Sequence, residues 1–192
     1  MLPSGSADRS PLEPLDAQNQ TLIENVHPTD WTNPLPADRY HLVVIGSGTA
    51  GLVAASFAAG AGARVALIER DFMGGDCLNA GCVPSKSIIR SSRVYAELRD
   101  AAALGWHIPA GVVADFEAVM ARMRRIRARL SQNDSASRYR DEKGVDVFFG
   151  SARFTSETTL DVAGATIRFK KALIATGARP ARLLIPGLAE TG

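Results

Sequence analysis

The stretch YHLVVIGSGTAG at residues 40–51 decides the fold. It starts with an apolar run typical of a buried strand, and the glycine-rich turn that follows opens an alanine-rich helix. In this Gly-x-Gly-x-x-Gly pattern, Gly46 allows a tight turn and Gly48 lets a pyrophosphate approach the backbone. Gly51 lets the helix pack closely against the strand. The stretch therefore predicts a βα dinucleotide-binding unit.

A second strand and an acidic residue extend this unit. The helix is expected to continue to about Ala61, and residues 64–68 then form another apolar strand. Glu69 follows Gly51 by 18 residues, a position from which an acidic side chain accepts a hydrogen bond from a ribose 2′-hydroxyl. The alternative for Glu69 is a solvated charge at a strand end. The pattern favours a Rossmann-like α/β domain that holds phosphates at the helix N-terminus.

Both cysteines of the chain lie in GGDCLNAGCVPSK at residues 74–86. In a regular helix, Cα atoms five residues apart are separated by about 8.6 Å, which is beyond the disulfide range of roughly 4.4 to 6.8 Å. Asn79 and Gly81 tolerate left-handed backbone, so they could fold the loop tightly enough for Cys77 and Cys82 to bond. The pair is therefore expected to be able to form a disulfide.

The residues after Cys82 favour a reactive thiolate. Pro84 suits the first turn of a helix, which would continue through residues 88–98 and place Cys82 at its positive end. Lys86 adds a second positive charge one turn beyond Cys82, a setting in which cysteines become reactive. We therefore expect a redox-active dithiol. The alternatives are an inert disulfide, two buried thiols, or a zinc site, which three histidines at no recognisable ligand spacing support poorly.

Length and composition are those of an ordinary globular chain. It has 192 residues, of which 46% are hydrophobic, and a net charge of +2. This charge gives no case for nucleic acid or an anionic membrane as the main partner. No apolar run approaches the roughly 18 residues that a membrane helix needs. The beginning of the chain lacks the cationic and apolar pattern of a secretory leader, so we expect a cytoplasmic protein.

The first 38 residues differ in composition from the rest. They are rich in proline and acidic residues, so residues 1–38 are expected to form an extension with little more than a short turn near residues 22–26. This extension is either loose or pinned to the surface by Trp31 and Leu35. The domain itself is expected to occupy residues 39–192.

The second half of the domain is expected to add a helix and several strands. Apolar residues at helical spacing from Phe116 to Leu130 predict a helix with one face in the core. Its other face carries five arginines, which predict a solvated surface in preference to an anionic partner, because no aromatic residues lie between them to stack on bases. A further parallel strand and a small β-meander are expected from the β-type runs at residues 145–149, 152–154, 159–162, 166–169 and 171–175.

The cysteine segment resembles the active-site segment of the class I pyridine nucleotide-disulfide oxidoreductases. The resemblance is to the mercuric reductase and dihydrolipoamide dehydrogenase-like branch, in which Val-Pro-Ser-Lys follows the second cysteine. Asp76 departs from the threonine that usually precedes the first cysteine. The resemblance implies that Cys77 exchanges with substrate and is the more accessible thiol, and that Cys82 faces the flavin. Lys86 would then lie near the flavin ring.

Two later segments resemble other parts of the same family's flavin site. Gly150-Ser151-Ala152 would meet the adenine, and Ala175-Thr176-Gly177 would line the flavin. The resemblance implies a three-layer ββα FAD-binding domain with a central parallel sheet and a small β-meander. The expected cofactor-binding residues are Gly46, Ser47, Gly48, Thr49, Ala50, Gly51, Glu69, Arg70, Gly75, Asp76, Lys86, Gly150, Ala152, Ala175, Thr176 and Gly177.

The family's complete enzymes are homodimers that carry electrons from NAD(P)H through FAD to a small-molecule substrate. This sequence has one dinucleotide fingerprint, no second NAD(P)-binding unit and no candidate for the family's His-Glu pair. It is therefore expected to be the N-terminal part of such an enzyme and inactive alone. Two rival interpretations are an FAD-binding module without catalysis and an NAD-dependent dehydrogenase with incidental cysteines.

Overall fold

The structure is a computed structural model that describes residues 12–179, 181 and 185–187. Residues 1–11 of the expected extension, and the positions from 188 onward, lie outside this description. Within it, six strands form one sheet. They are β1 (Tyr40–Ile45), β2 (Val65–Glu69), β3 (Asp146–Phe149), β4 (Ala152–Phe154), β5 (Thr159–Val162) and β6 (Ala165–Ile174).

The strand order is β3-β2-β1-β6-β5-β4, and the sheet has a parallel and an antiparallel half. β1 pairs in parallel with β2 and β6, so that Val44 lies opposite both Leu67 and Leu173. β2 also pairs in parallel with β3. β4, β5 and the first part of β6 are antiparallel and form the expected meander. The predicted Rossmann-like α/β fold with a central parallel sheet is confirmed.

The prediction of two separate strands at residues 166–169 and 171–175 was wrong, because β6 is continuous. Its first half pairs with β5, where Arg168 lies opposite Thr159, and its second half pairs with β1, where Lys171 lies opposite Leu42. Two adjacent lysines interrupt the apolar pattern without interrupting the backbone. One long strand thus belongs to both halves of the sheet and joins them.

Two apolar layers cover the two faces of the sheet. Val44 and Leu67 face one layer, which also contains residues of the helices, and Val43 and Ile68 face the other, which contains residues of β5 and β6. Alternation along buried strands therefore produces the three-layer arrangement. No helix in the described part of the chain is long and apolar enough to cross a membrane. The α-helices are α1 (Ala17–Val26), α2 (Thr49–Gly60), α3 (Gly75–Asn79), α4 (Cys82–Asp100), α5 (Phe116–Ser131) and α6 (Ala136–Asp141).

The described part of the expected extension, residues 12–38, contains more regular structure than the sequence suggested. α1 has ten residues and begins after Asp16, whose carboxylate accepts hydrogen bonds from the backbone N–H groups of Gln18 and Asn19. Leu22 and Val26 are fully buried in the main apolar layer. Their spacing of four residues places them on one helix face, a signal that the surrounding prolines and acidic residues obscured. Packing contacts therefore cross the predicted boundary at residue 38, because α1 contributes to the main apolar layer.

The chain after α1 runs along the free edge of β3. The Trp31 indole N–H donates to the carbonyl of Val147 at 3.3 Å. The Asn33 side chain donates to the carbonyl of Phe149 at 2.8 Å and accepts from its N–H at 2.8 Å, as a neighbouring strand would. An edge strand has unpaired backbone groups, and this arm satisfies some of them. The arm is thus pinned through Trp31, as one of the two expectations held, but the expectation for Leu35 was wrong, because its side chain is 93% exposed.

The arginine-rich face of α5 was predicted to be solvated, and this prediction was wrong for three of its residues. Arg122 donates to the carbonyl of Ser87, and Arg124 pairs with Asp16 at 2.5 Å. Arg127 is buried and donates to the carbonyl of Asn79 at 2.9 Å and to Asn19 Oδ1 at 2.6 Å. The predicted apolar face of α5 is also not buried at its start, because Phe116 is 70% exposed. α5 therefore contacts α1, α3 and α4 partly through its arginine side chains.

We expect Arg127→Ala to destabilise the protein by about 2 to 4 kcal/mol. The substitution leaves one buried and one partly buried acceptor without their charged donor, and hydrogen bonds to charged groups contribute about 1.5 to 3 kcal/mol each without being additive. Arg125→Ala, on an exposed residue of the same helix, should change stability by less than about 0.5 kcal/mol. Urea denaturation followed by circular dichroism compares the two. Equal midpoints would mean that the Arg127 contacts contribute nothing to the fold.

Candidate functional site

A cavity of about 980 Å³ opens at the carboxyl ends of β1, β2 and β6. Ligands of open α/β sheets bind at this edge, and cofactor sites span roughly 300 to 1,000 Å³. The cavity is therefore at the large end of the range for a small-molecule site. The expected site residues that line it are Gly46, Gly48, Thr49, Ala50, Glu69, Arg70, Gly75, Asp76, Cys77, Gly150, Ala152, Ala175, Thr176 and Gly177.

Four expected site residues do not line this cavity: Ser47, Gly51, Cys82 and Lys86. Ser47 and Gly51 make contacts that hold the fingerprint loop in place. Cys82 and Lys86 belong to the first turns of α4. Sequence reasoning also missed several lining residues. Each is close in sequence to a predicted one, so extending the predicted segments by a residue or two would have found most of them. They are Ile45, Ile68, Asp71, Phe72, Asn79, Ala178 and Arg179.

The glycines of the fingerprint hold the loop in close contact with its surroundings. Gly46 has a φ of +98°, and a Cβ atom there would lie 2.4 Å from the carbonyl oxygen of Ala175. A Cβ atom on Gly51 would lie 1.8 Å from the carbonyl oxygen of Gly46. These contacts agree with a tight turn at Gly46 and close packing of α2 at Gly51.

The N-terminus of α2 supplies hydrogen-bond donors to the cavity. Gly48 caps this helix without a side chain, and Thr49 and Ala50 line the cavity. The first backbone N–H groups of a helix have no partner within the helix, and the helix dipole makes them favourable for anions. This donor set fits the pyrophosphate of a dinucleotide such as FAD.

Glu69 is a buried acid that braces the fingerprint loop. One carboxylate oxygen accepts hydrogen bonds from the Ser47 N–H at 2.8 Å and the Ser47 hydroxyl at 2.7 Å. The other accepts from the backbone N–H of Asp71 at 2.8 Å. Glu69 is 9% exposed and Ser47 is fully buried, so the alternative of a solvated charge at a strand end is excluded. Because a carboxylate has about four acceptor positions, Glu69 can still accept from a ligand in the cavity.

We expect Glu69→Ala to weaken FAD binding about tenfold or more. The expected ribose contact is charge-assisted, and such a bond contributes about 1.5 to 3 kcal/mol, where about 1.4 kcal/mol corresponds to a factor of ten. Flavin fluorescence titration measures the affinity. Ser47→Ala is the matched control, because it removes one loop-bracing bond and keeps the carboxylate. If both variants lose the same affinity, Glu69 acts through the loop and makes no ribose contact.

The cysteine segment is attached directly to the fingerprint loop. The Gly74 N–H donates to the carbonyl of Ser47 at 2.9 Å. Gly75 has a φ of +56°, and a Cβ atom there would lie 2.7 Å from Gly48 Cα. The loop that would hold the phosphates and the helix that carries Cys77 therefore share one rigid contact. A larger residue at position 75 would separate them.

The turn between the cysteines forms differently from the expectation. Neither Asn79 nor Gly81 has a positive φ. Asn79 ends α3, and its amide donates to the carbonyls of Met73 and Gly75. Gly81 caps α4 and lies so close to α3 that a Cβ atom would be 2.9 Å from the carbonyl oxygen of Asp76. The cysteines approach each other because α3 ends and α4 starts anew at Cys82, and no left-handed residue is needed.

The two cysteines are free thiols in contact with each other. The hydrogen bond with Cys82, together with burial, raises the pKa of the Cys77 thiol, while the positive charge of Lys86 and a hydrogen bond with Thr49 act in the opposite direction. Cys77 is half-buried and Cys82 is exposed, so the expected order of accessibility is wrong for this chain. One reason is that α3, which carries Cys77, lies against the fingerprint loop where Gly75 meets Gly48.

Comparison with known proteins identifies the family of the chain. The pyridine nucleotide-disulphide oxidoreductase family matches residues 40–192. A mercuric reductase of Lysinibacillus sphaericus is 34% identical over 189 residues, which are 97% of this chain and 34% of that protein. A glutathione reductase of Burkholderia cepacia is 37% identical over 147 residues, covering 73% of this chain and 31% of that protein.

A third relative is matched over similar shares of the two chains. A dihydrolipoyl dehydrogenase of Mycoplasma pneumoniae is 31% identical over 151 residues, covering 79% of this chain and 33% of that protein. The chain thus spans about a third of the length of these curated relatives. The matched residues include the fingerprint, the cysteine pair and the strands of the sheet. The chain therefore belongs to the pyridine nucleotide-disulphide oxidoreductase family.

Proposed function

We propose that this chain is the FAD-binding and dithiol-bearing portion of a flavoprotein disulfide oxidoreductase. One observation carries the proposal: Cys77 lines the nucleotide cavity while in contact with Cys82. The family is FAD-dependent and uses NAD(P)H as electron donor. This favours FAD over a nicotinamide cofactor in the cavity and argues against a dehydrogenase with incidental cysteines.

The residues that would hold FAD follow from the cavity. The N–H groups at the start of α2 would bind the pyrophosphate, and Glu69 would accept from the ribose. Residues 150–152 and 175–177 would line the two ends of the ligand. FAD bound here would supply a two-electron carrier between NAD(P)H and the cysteine pair.

The cysteine pair would carry out thiol–disulfide exchange with the substrate. Two electrons and two protons convert the Cys77–Cys82 disulfide to a dithiol. The Cys77 thiolate then attacks a substrate sulfur, which forms a mixed disulfide and releases the other half of the substrate as a thiol. The Cys82 thiolate displaces the second half and reforms the disulfide. Lys86, whose charge favours the Cys77 thiolate, would promote the attack.

Substrate and assembly are also part of this proposal. The substrate is a small molecule, either a disulfide or mercuric ion, as the names of the relatives suggest. The whole enzyme is proposed to be a cytoplasmic homodimer with no nucleic-acid or membrane partner.

Three measurements on the chain test the proposal together. FAD should bind, as shown by quenching of its fluorescence. Mild reduction of the air-oxidised protein should expose two additional thiols, which an FAD-binding module without redox chemistry would not gain. NADH or NADPH should not bleach the bound flavin at an enzyme-like rate, because positioning of the nicotinamide contributes roughly 7 to 11 kcal/mol to such reactions and the sequence has only one dinucleotide fingerprint. Failure to bind FAD or to gain thiols would overturn the proposed oxidoreductase function. Rapid bleaching would overturn the proposal that this chain is only one portion of the enzyme.

A further inference from the structure

A second cavity of about 310 Å³ lies next to the nucleotide cavity. Cys77 and Thr49 line both cavities, so these two residues lie between them. The second cavity is bounded mainly by apolar side chains, including Leu52, Leu78 and Leu130. A small molecule in this cavity would contact Cys77, which also lines the nucleotide cavity.

Asp134 places one carboxylate in this second cavity. It lies at the end of the short helical turn after α5, and its Oδ2 would be 3.1 Å from a Cβ atom on Gly74. The neighbouring Tyr139 hydroxyl is engaged elsewhere, because it donates to the carbonyl of Leu52 at 3.1 Å. Burial raises the pKa of the Asp134 carboxyl, while the positive charge of Arg138 acts in the opposite direction.

The charges around this cavity favour cationic ligands over anionic ones. Among the described residues, no lysine or arginine lines it, so Asp134 is its one acidic or basic side chain. Lys86 acts electrostatically on Cys77 and would favour anions, but it is exposed and does not line this cavity. A carboxylate in a mainly apolar cavity repels anions more strongly than one in water, because the local dielectric constant is lower.

We propose that this cavity receives the substrate of Cys77 and that Asp134 makes it select cationic or uncharged disulfides against those bearing carboxylates. The inference rests on the proposed function, in which Cys77 exchanges with substrate. The exchange forms a bond between Cys77 Sγ and one substrate sulfur and breaks the substrate S–S bond. The departing sulfur keeps the electron pair and takes a proton from water.

The test compares three small disulfides that differ in charge. Cystamine is cationic, bis(2-hydroxyethyl) disulfide is neutral and dithiodiglycolate is anionic. Each is mixed at low ionic strength with the reduced Cys82→Ser chain, in which the mixed disulfide at Cys77 cannot be resolved. Mass spectrometry follows its formation, with and without Asp134→Asn. The ratio of the cystamine rate to the dithiodiglycolate rate should fall at least about threefold in the Asp134→Asn variant.

Two controls keep the result interpretable. Asp100→Asn changes the net charge equally at an exposed residue outside the cavity, and it should leave the ratio unchanged. Asp134→Asn should fold at least as stably as the parent, because a carboxyl whose pKa is raised by folding costs stability once pH rises through that pKa. If Cys77 reacts with no probe, the proposed function fails. If it reacts and Asp134→Asn leaves the ratio unchanged, only the charge selection fails.

Discussion

Gly51→Ala is expected to remove a large share of the stability of the domain, a loss of more than about 4 kcal/mol out of the roughly 5 to 15 kcal/mol typical of a domain. An alanine Cβ at this position would lie 1.8 Å from the carbonyl oxygen of Gly46, which is fixed in turn against Ala175. Relief requires α2 to move away from β1 or the loop to move into the cavity. FAD binding should therefore be lost together with stability.

The same helix offers a matched control for this substitution. Gly60 ends α2, and a Cβ atom there would have no neighbour within 4 Å. Gly60→Ala should stabilise the protein by about 0.5 to 1 kcal/mol, because alanine loses less conformational freedom than glycine. Urea denaturation and flavin titration compare the two variants. Similar midpoints would show that the loop adapts to the larger residue and that close packing at Gly51 is dispensable.

Exchange of either cysteine for serine should distinguish their roles completely. The hydrogen bond with Cys82, together with burial, raises the pKa of the Cys77 thiol. Cys82 is also the first residue of α4, where free N–H groups favour an anion. In reduced, flavin-loaded protein, Cys77→Ser should therefore keep a long-wavelength thiolate-to-flavin absorption band, and Cys82→Ser should abolish it.

The structure also defines the result that would reverse this assignment. Cys77 lines the nucleotide cavity in this chain and Cys82 does not. If the band persists in Cys82→Ser and disappears in Cys77→Ser, Cys77 is the flavin-side thiol and Cys82 exchanges with substrate. Absorption spectra at several pH values, recorded on both variants with equal flavin content, decide between the two assignments.

Local patterns predicted the elements that depend on local residues. β1, β4 and β5 have the expected bounds, and α4 continues through the expected residues, because alternation, glycine turns and Pro84 are local signals. The apparent break at Lys170 and Lys171 misled the prediction of β6, whose continuity depends on pairing with both β1 and β5. Contacts between distant segments are not visible in such patterns.

The candidate site shows the same difference between local signals and contacts of distant segments. The glycines and Glu69 were identified from spacing alone, whereas the bracing of Ser47 by Glu69 depends on how β2 lies beside β1. Arg127 was assigned to solvent because an arginine in a polar helix face usually lies there, and only the packing of α1 and α3 against α5 buries it. Asp134 had no sequence signal at all, since only the packing of the chain brings it to the second cavity that Cys77 also lines.

The arm that covers β3 has a consequence for the order of folding. Trp31 and Asn33 bond to residues 116 positions further along the chain, so these contacts require β3 to be made and placed first. Contacts of such long sequence separation close large loops and form slowly. During synthesis, the arm must wait undocked while most of the domain leaves the ribosome. The contacts between the arm and β3 therefore form late in folding. Loss of these contacts would speed unfolding far more than it would slow folding.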